Sequence, residues 1–167
     1  AHTDFLSKKA SMTRPETQLK LALYSSILHL CLGEPSKARK SMKKILGSDK
    51  SFHTLPSYKT ARLVNLLIQA ELGNYDFFAN EVSSIKRTIS YEKQMYITEK
   101  LLFRFLMAHP LPIYRKDREK LWAQYQKDIT RIRQDKYEKQ LLKTFDFTAW
   151  IESKLTNIPF REILYSE

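Results

Sequence analysis

Between Leu19 and Leu32 apolar residues occupy nearly the whole circumference of a helix. Leu19, Ala22, Leu23, Ile27 and Leu30 follow the three-and-four spacing of one face, and Leu21, Tyr24, Leu28, Cys31 and Leu32 fill most of the rest. A helix apolar nearly all round is expected to be buried on more than one side. Pro15 suits its first turn, with Thr13 or Arg14 just before, and Gly33 suits its end, where a left-handed backbone is cheap only for glycine. Ser25 and Ser26 are small enough to let a neighbouring helix approach closely. Pro35 opens a second helix with Ala38, Met42, Ile45 and Leu46 inward and Lys37, Arg39, Lys40, Lys43 and Lys44 outward, closed by Gly47.

The same form returns 40 positions on, from Gly33 to Gly73. After a loop over 48–55, Pro56 opens a third helix running through Leu72, and beyond Gly73 a fourth carries Phe78, Val82, Ile85 and Ile89. Three of these repeat the spacing of Ala38, Met42 and Ile45, which marks an internal repeat. The pattern then changes. Tyr91–His109 reads as a fifth helix with Met95, Leu102, Phe105 and Leu106 on one face, and Pro110 and Pro112 force an extended link. A long charged helix from Arg115 keeps a narrow stripe of Trp122, Tyr125, Ile129 and Ile132, as expected of a surface helix. At Asp135 the stripe lapses, and Asp135-Lys-Tyr-Glu138 reads as a variant capping box. A further helix runs through Leu141, Leu142 and Phe145. Phe147, Trp150, Ile151 and Leu155 form one more apolar face, Pro159 ends it, and Phe160, Ile163 and Leu164 make a last turn.

The fold class is therefore all-α: residues 1–167 as a single helical domain, 15–89 as two antiparallel hairpins, and 90–167 as additional C-terminal helices packed on that array. Gly33-Glu-Pro-Ser-Lys-Ala38 followed by Met42 and Ile45, and Gly73-Asn-Tyr-Asp-Phe-Phe78 followed by Val82 and Ile85, resemble the second half of a tetratricopeptide repeat. Phe78 stands where that family has a small alanine, so packing at that turn differs. The resemblance covers roughly residues 15–89 and implies a protein-binding scaffold with no chemistry of its own. The stretch Phe145–Leu155 is similar to the end of an uncharacterised bacterial family built from such helices.

Composition and charge narrow the functional classes. With 43% hydrophobic residues among 167, and only 3 Gly and 6 Pro, the chain has material for a core and few turns. The single cysteine, Cys31, rules out an internal disulfide framework and suits a reducing, cytoplasmic setting. No apolar run approaches the ~18 residues of a membrane span. Residues 1–12 lack the apolar centre of a signal peptide. The chain starts without Met, so an upstream part, and any targeting segment with it, is expected to be missing, and the scaffold reading allows the C-terminal part of a longer helical-repeat protein. The net charge of +11 is uneven, with ten basic against four acidic residues over 1–50 and fifteen against seven over 86–143. Such a field favours acidic partners, nucleic acid or anionic surfaces.

Candidate chemistry is sparse. His2, His29, His53 and His109 are scattered, and His29 and Cys31 point about 200° apart on one helix, so no metal site is expected. Three isolated glycines cannot build a phosphate loop, and no catalytic set or cofactor is expected. Two surfaces remain. A groove lined by the first helices of the hairpins would offer Lys20, Ser25, His29, Lys59, Arg62, Asn65 and Gln69 to a protein or peptide partner. The alternative is nucleic-acid binding by the basic blocks 37–44 and 115–143: Lys37, Arg39, Lys40, Lys43 and Lys44, with Arg115, Lys116, Arg118, Arg131 and Arg133. Tyr91, Tyr96, Tyr114 and Tyr137 would then stack bases.

Overall fold

A computed structural model describes residues 14–43, 45–47, 50–91 and 95–165, and the side chains of 89–91 and 165 are left out of account. Among the described residues the chain is all-α, with no strand: α1 (Pro15–Cys31), α2 (Pro35–Met42), a 3-10 turn (Lys50–Phe52), α3 (Pro56–Glu71), α4 (Phe77–Tyr91), α5 (Ile97–Met107), α6 (Arg115–Gln134), α7 (Glu138–Leu142), α8 (Phe147–Thr156) and α9 (Phe160–Tyr165). The chain divides into two compact units, one ending at Gly73 and one beginning at Asn74. The boundary falls inside the repeat read over 15–89, and the helices either side of Gly73 belong to different units.

In the first unit α1 packs on α2 and α3, and α2 packs on α3. Proline stands at the first turn of all three helices, where its missing N–H costs nothing and its φ is already helical. Gly33 (φ +71°) closes α1 with a paired return: its amide donates to the Leu30 carbonyl, and the Glu34 amide to that of His29. This is the Schellman geometry, which needs a left-handed residue at that point. Gly73 follows α3 with φ +72°. Ser26 Oγ donates to the Ala38 carbonyl at 3.0 Å and Ser25 meets Ser41 at 3.1 Å, so the small pair does admit α2 closely. The centre of the unit is α3, on which every residue from Leu63 to Ile68 is buried. Phe52, from a loop with no apolar pattern, is buried as well.

Two expectations fail here. Helix α2 ends at Met42, although Ile45 beyond it is still buried and Leu46 half-buried. More consequentially, α1 is not covered on several sides. It buries Leu19, Leu23 and Ser26, whereas Leu21, Tyr24, Leu28 and Leu32 remain exposed. Its neighbours α2 and α3 reach only part of its circumference.

The second unit is built around an aromatic cluster. Phe105 meets His109, Tyr125 and Trp150 edge-on, with ring centroids 5.0, 5.6 and 5.6 Å apart. Edge-to-face contacts at this range suit the ring quadrupoles. The stripe of α6 is buried at Tyr125, Ile129 and Ile132, and α8 buries Phe147, Trp150, Ile151 and Leu155. Burial pushes the Tyr125 phenol above its usual range, with the nearby Arg104 guanidinium opposing.

The expected fifth helix needs correction. Tyr91 ends α4, Met95 lies outside any helix, and α5 begins only at Ile97. Two carboxylates fix that start. Glu99 Oε2 accepts from the Tyr96 amide at 2.9 Å, and buried Glu138 accepts from the Ile97 amide (2.7 Å), the Thr98 amide (3.0 Å) and the Thr98 hydroxyl (2.8 Å). A carboxylate is favoured at the positive end of a helix and consumes N–H groups that have no partner within it. The capping box read at Asp135 is thus only half formed. Asp135 Oδ1 takes the Tyr137 and Glu138 amides, but Glu138 serves α5 instead of reaching back. Asp146 caps α8 through the Ala149 amide at 2.9 Å, and in the last turn Ile163 is buried while Leu164 is exposed.

Candidate functional site

The expected groove residues do not form one open surface. Asn65 is only 8% exposed, and its Oδ1 accepts from Gln69 Nε2 at 3.3 Å. Arg62, Lys59 and Gln69 are half-buried. Lys20 is exposed and paired with Glu16 at 2.7 Å, while His29 Nδ1 lies 2.9 Å from Glu34 Oε2. The Glu34 carboxyl is held below its usual range by hydrogen bonds from Lys37 and His29.

What the first unit does present is a ridge on α1. Leu21 (54% exposed), Tyr24 (57%), Leu28 (59%) and Leu32 (63%) follow one another at spacings of three, four and four, which places them on one face. Lys20 and His29 are next to this ridge in sequence. On α2, the partner helix of α1, Arg39 and Lys40 are exposed, as is Lys43 just past its end, with no acidic partner among the described residues. Cys31, in the last turn of α1, is half-buried, and burial raises its thiol pKa, which disfavours a nucleophilic role.

The basic track of the alternative reading is broken up. Lys37 pairs with Glu34 at 2.6 Å, and Lys44 lies outside the described residues. Arg115 and Arg133 stand near opposite ends of α6, about 27 Å apart at 1.5 Å per residue. Arg133 is occupied, donating to Thr148 Oγ1 (3.1 Å) and Glu152 Oε2 (2.9 Å), while Arg131 is exposed. Among the tyrosines, Tyr114 and Tyr137 are exposed and Tyr96 is half-buried.

At the start of α6 the structure gathers what the sequence left apart. A cleft of about 570 Å³ is lined by Ile113, Arg115, Arg118, Glu119 and Trp122 at the start of α6 and by Leu155, Thr156 and Asn157 at the end of α8. Arg118 Nε donates to the Pro112 carbonyl at 2.7 Å, which fixes the guanidinium plane. Arg115 Nε donates to Glu119 at 2.8 Å. Asn157 ends α8 in the left-handed region (φ 62°).

No group of three or more His, Cys, Asp or Glu able to hold a metal ion occurs among the described residues, and no helix among them is long and apolar enough to cross a membrane. No protein-family model, curated protein or solved structure matches the sequence.

Proposed function

We propose that this protein is a non-enzymatic interaction module, tetratricopeptide-like over 15–89, which docks an amphipathic helix of a protein partner on the α1 ridge. The observation that carries the reading is the row Leu21, Tyr24, Leu28 and Leu32, four large apolar side chains more than half exposed on one helix face. Such a row fits the hydrophobic anchors of a facing helix at the same spacing. The contacts Ser25–Ser41, Ser26–Ala38 and His29–Glu34 close up toward Gly33, which supports a hairpin at α1–α2. The cations Arg39, Lys40 and Lys43 on that hairpin point to a partner helix with acidic flanks.

The test is fluorescence anisotropy with three labelled probes: an amphipathic leucine-rich helical peptide with glutamate flanks, the same peptide with lysine flanks, and a single-stranded oligonucleotide. The glutamate peptide should bind, the lysine peptide more weakly, and Leu21→Ser with Leu28→Ser should abolish both. Oligonucleotide binding that alone survives the double substitution and falls steeply with salt would replace this reading with nucleic-acid recognition. Concentration-dependent dimerisation lost in the double variant would make a second copy the occupant.

A further inference from the structure

We infer that the cleft between the start of α6 and the end of α8 is a second binding site, for a short acidic peptide segment. It does not depend on the ridge. Three features define the ligand. Arg115 and Arg118 lie one turn apart on α6, and each has its Nε committed, to Glu119 and to the Pro112 carbonyl. Glu119 also lines the cleft, so two guanidinium groups face one carboxylate and leave a net positive lining. The terminal nitrogens of Arg118 make no other hydrogen bond among the described residues, and a guanidinium edge presented this way matches a carboxylate. Trp122, one turn further on, is half-buried, and with the 88% exposed Ile113 it supplies an apolar wall. That wall suits an aliphatic or aromatic side chain next to the acid.

The opposite wall distinguishes a peptide from a simple anion. It is the C-terminal turn of α8, the negative end of a helix. The carbonyl of Leu155 has no amide to meet four residues on, because residue 159 is proline. The chain leaves the helix at left-handed Asn157, whose own amide returns to the Ser153 carbonyl. A phosphate would meet repulsion here, whereas a peptide backbone brings N–H donors. A volume of about 570 Å³ accommodates a few residues. The segment would place its carboxylate on Arg118 and Arg115, its apolar side chain on Trp122, and its amides toward the end of α8.

The probe is a blocked hexapeptide alternating glutamate and leucine, titrated against the full chain and followed by tryptophan fluorescence and calorimetry. Trp150 is buried, so a fluorescence change should come from Trp122 and vanish in Trp122→Phe. Arg115→Gln and Arg118→Gln should each weaken binding about tenfold, the loss of one charge-assisted contact. Lys116→Gln removes the same charge outside the cleft and should leave affinity unchanged, as should the ridge variant Leu21→Ser with Leu28→Ser. Because Arg118 also holds the Pro112 carbonyl, exposed Arg115 provides the variant least tied to folding. The proposal is overturned if the glutamine counterpart of the peptide binds equally well, if Lys116→Gln weakens binding as much as Arg115→Gln, if inorganic phosphate displaces the peptide at equal concentration, or if no saturable binding is seen.

Discussion

The unit ending at Gly73 and the unit beginning at Asn74 start their helices by different means. In the first, α1, α2 and α3 each have proline in the first turn and no side-chain cap. In the second, carboxylates cap three helix starts: Glu99 and Glu138 at α5, Asp135 before α7, Asp146 at α8, while α6 has no side-chain cap. A proline start is local, set by one ring and independent of the remainder of the chain. The Glu138 start is not, since its acceptors and donors lie 40 and 41 residues apart. One unit therefore depends chiefly on apolar burial around α3, and the other adds a polar tie that works only when α5 and α7 are both in place.

The largest expected effect tests the first half of that contrast. Leu67→Ala or Leu23→Ala should destabilise the protein by about 2–5 kcal/mol in denaturant unfolding, because both side chains are buried and a cavity is left. Next, Glu138→Ala should cost about 2–3 kcal/mol by leaving the half-buried Ile97 amide and the buried amide and hydroxyl of Thr98 without an acceptor. The smallest effect belongs to Pro56→Ala, about 0.4–1 kcal/mol, arising mainly from added freedom in the unfolded chain. If Glu138→Ala proves no worse than Pro56→Ala, the distinction between a local and a long-range start collapses. If the two Leu→Ala variants come out near zero, the inner faces of α1 and α3 are wrongly assigned.

The same contrast explains which features the sequence discloses. Gly33 and Gly73 are legible because a left-handed helix end selects glycine, and both have φ near +70°. The stripe of α6 is legible because it is narrow, with Tyr125, Ile129 and Ile132 buried, so periodicity leaves one orientation. On α1 the same reasoning misleads: a helix apolar all round does not say which side will be covered, and Leu21, Tyr24, Leu28 and Leu32 stay outside. Arg62, Asn65 and Gln69 share a face, as their spacing says, but spacing cannot show that Asn65 is buried there. Phe52 is a single apolar residue in a loop and has no period at all. Glu138 suggests a local box because its spacing from Asp135 is right, while its real partners lie 40 residues upstream. The cleft at α6 brings together Arg118 and Thr156, which no sequence window joins.

The Glu138 contact also converts a distant motion into a local signal. The amide protons of Ile97 and Thr98 sit in the first turn of α5, where no intrahelical carbonyl can hold them. Their acceptor is a carboxylate carried by α7, so solvent deuterium reaches these two sites when the contact between α5 and Glu138 opens. Their exchange rate is therefore a clock for opening of the contact between α5 and the first residue of the five-residue helix Glu138–Leu142.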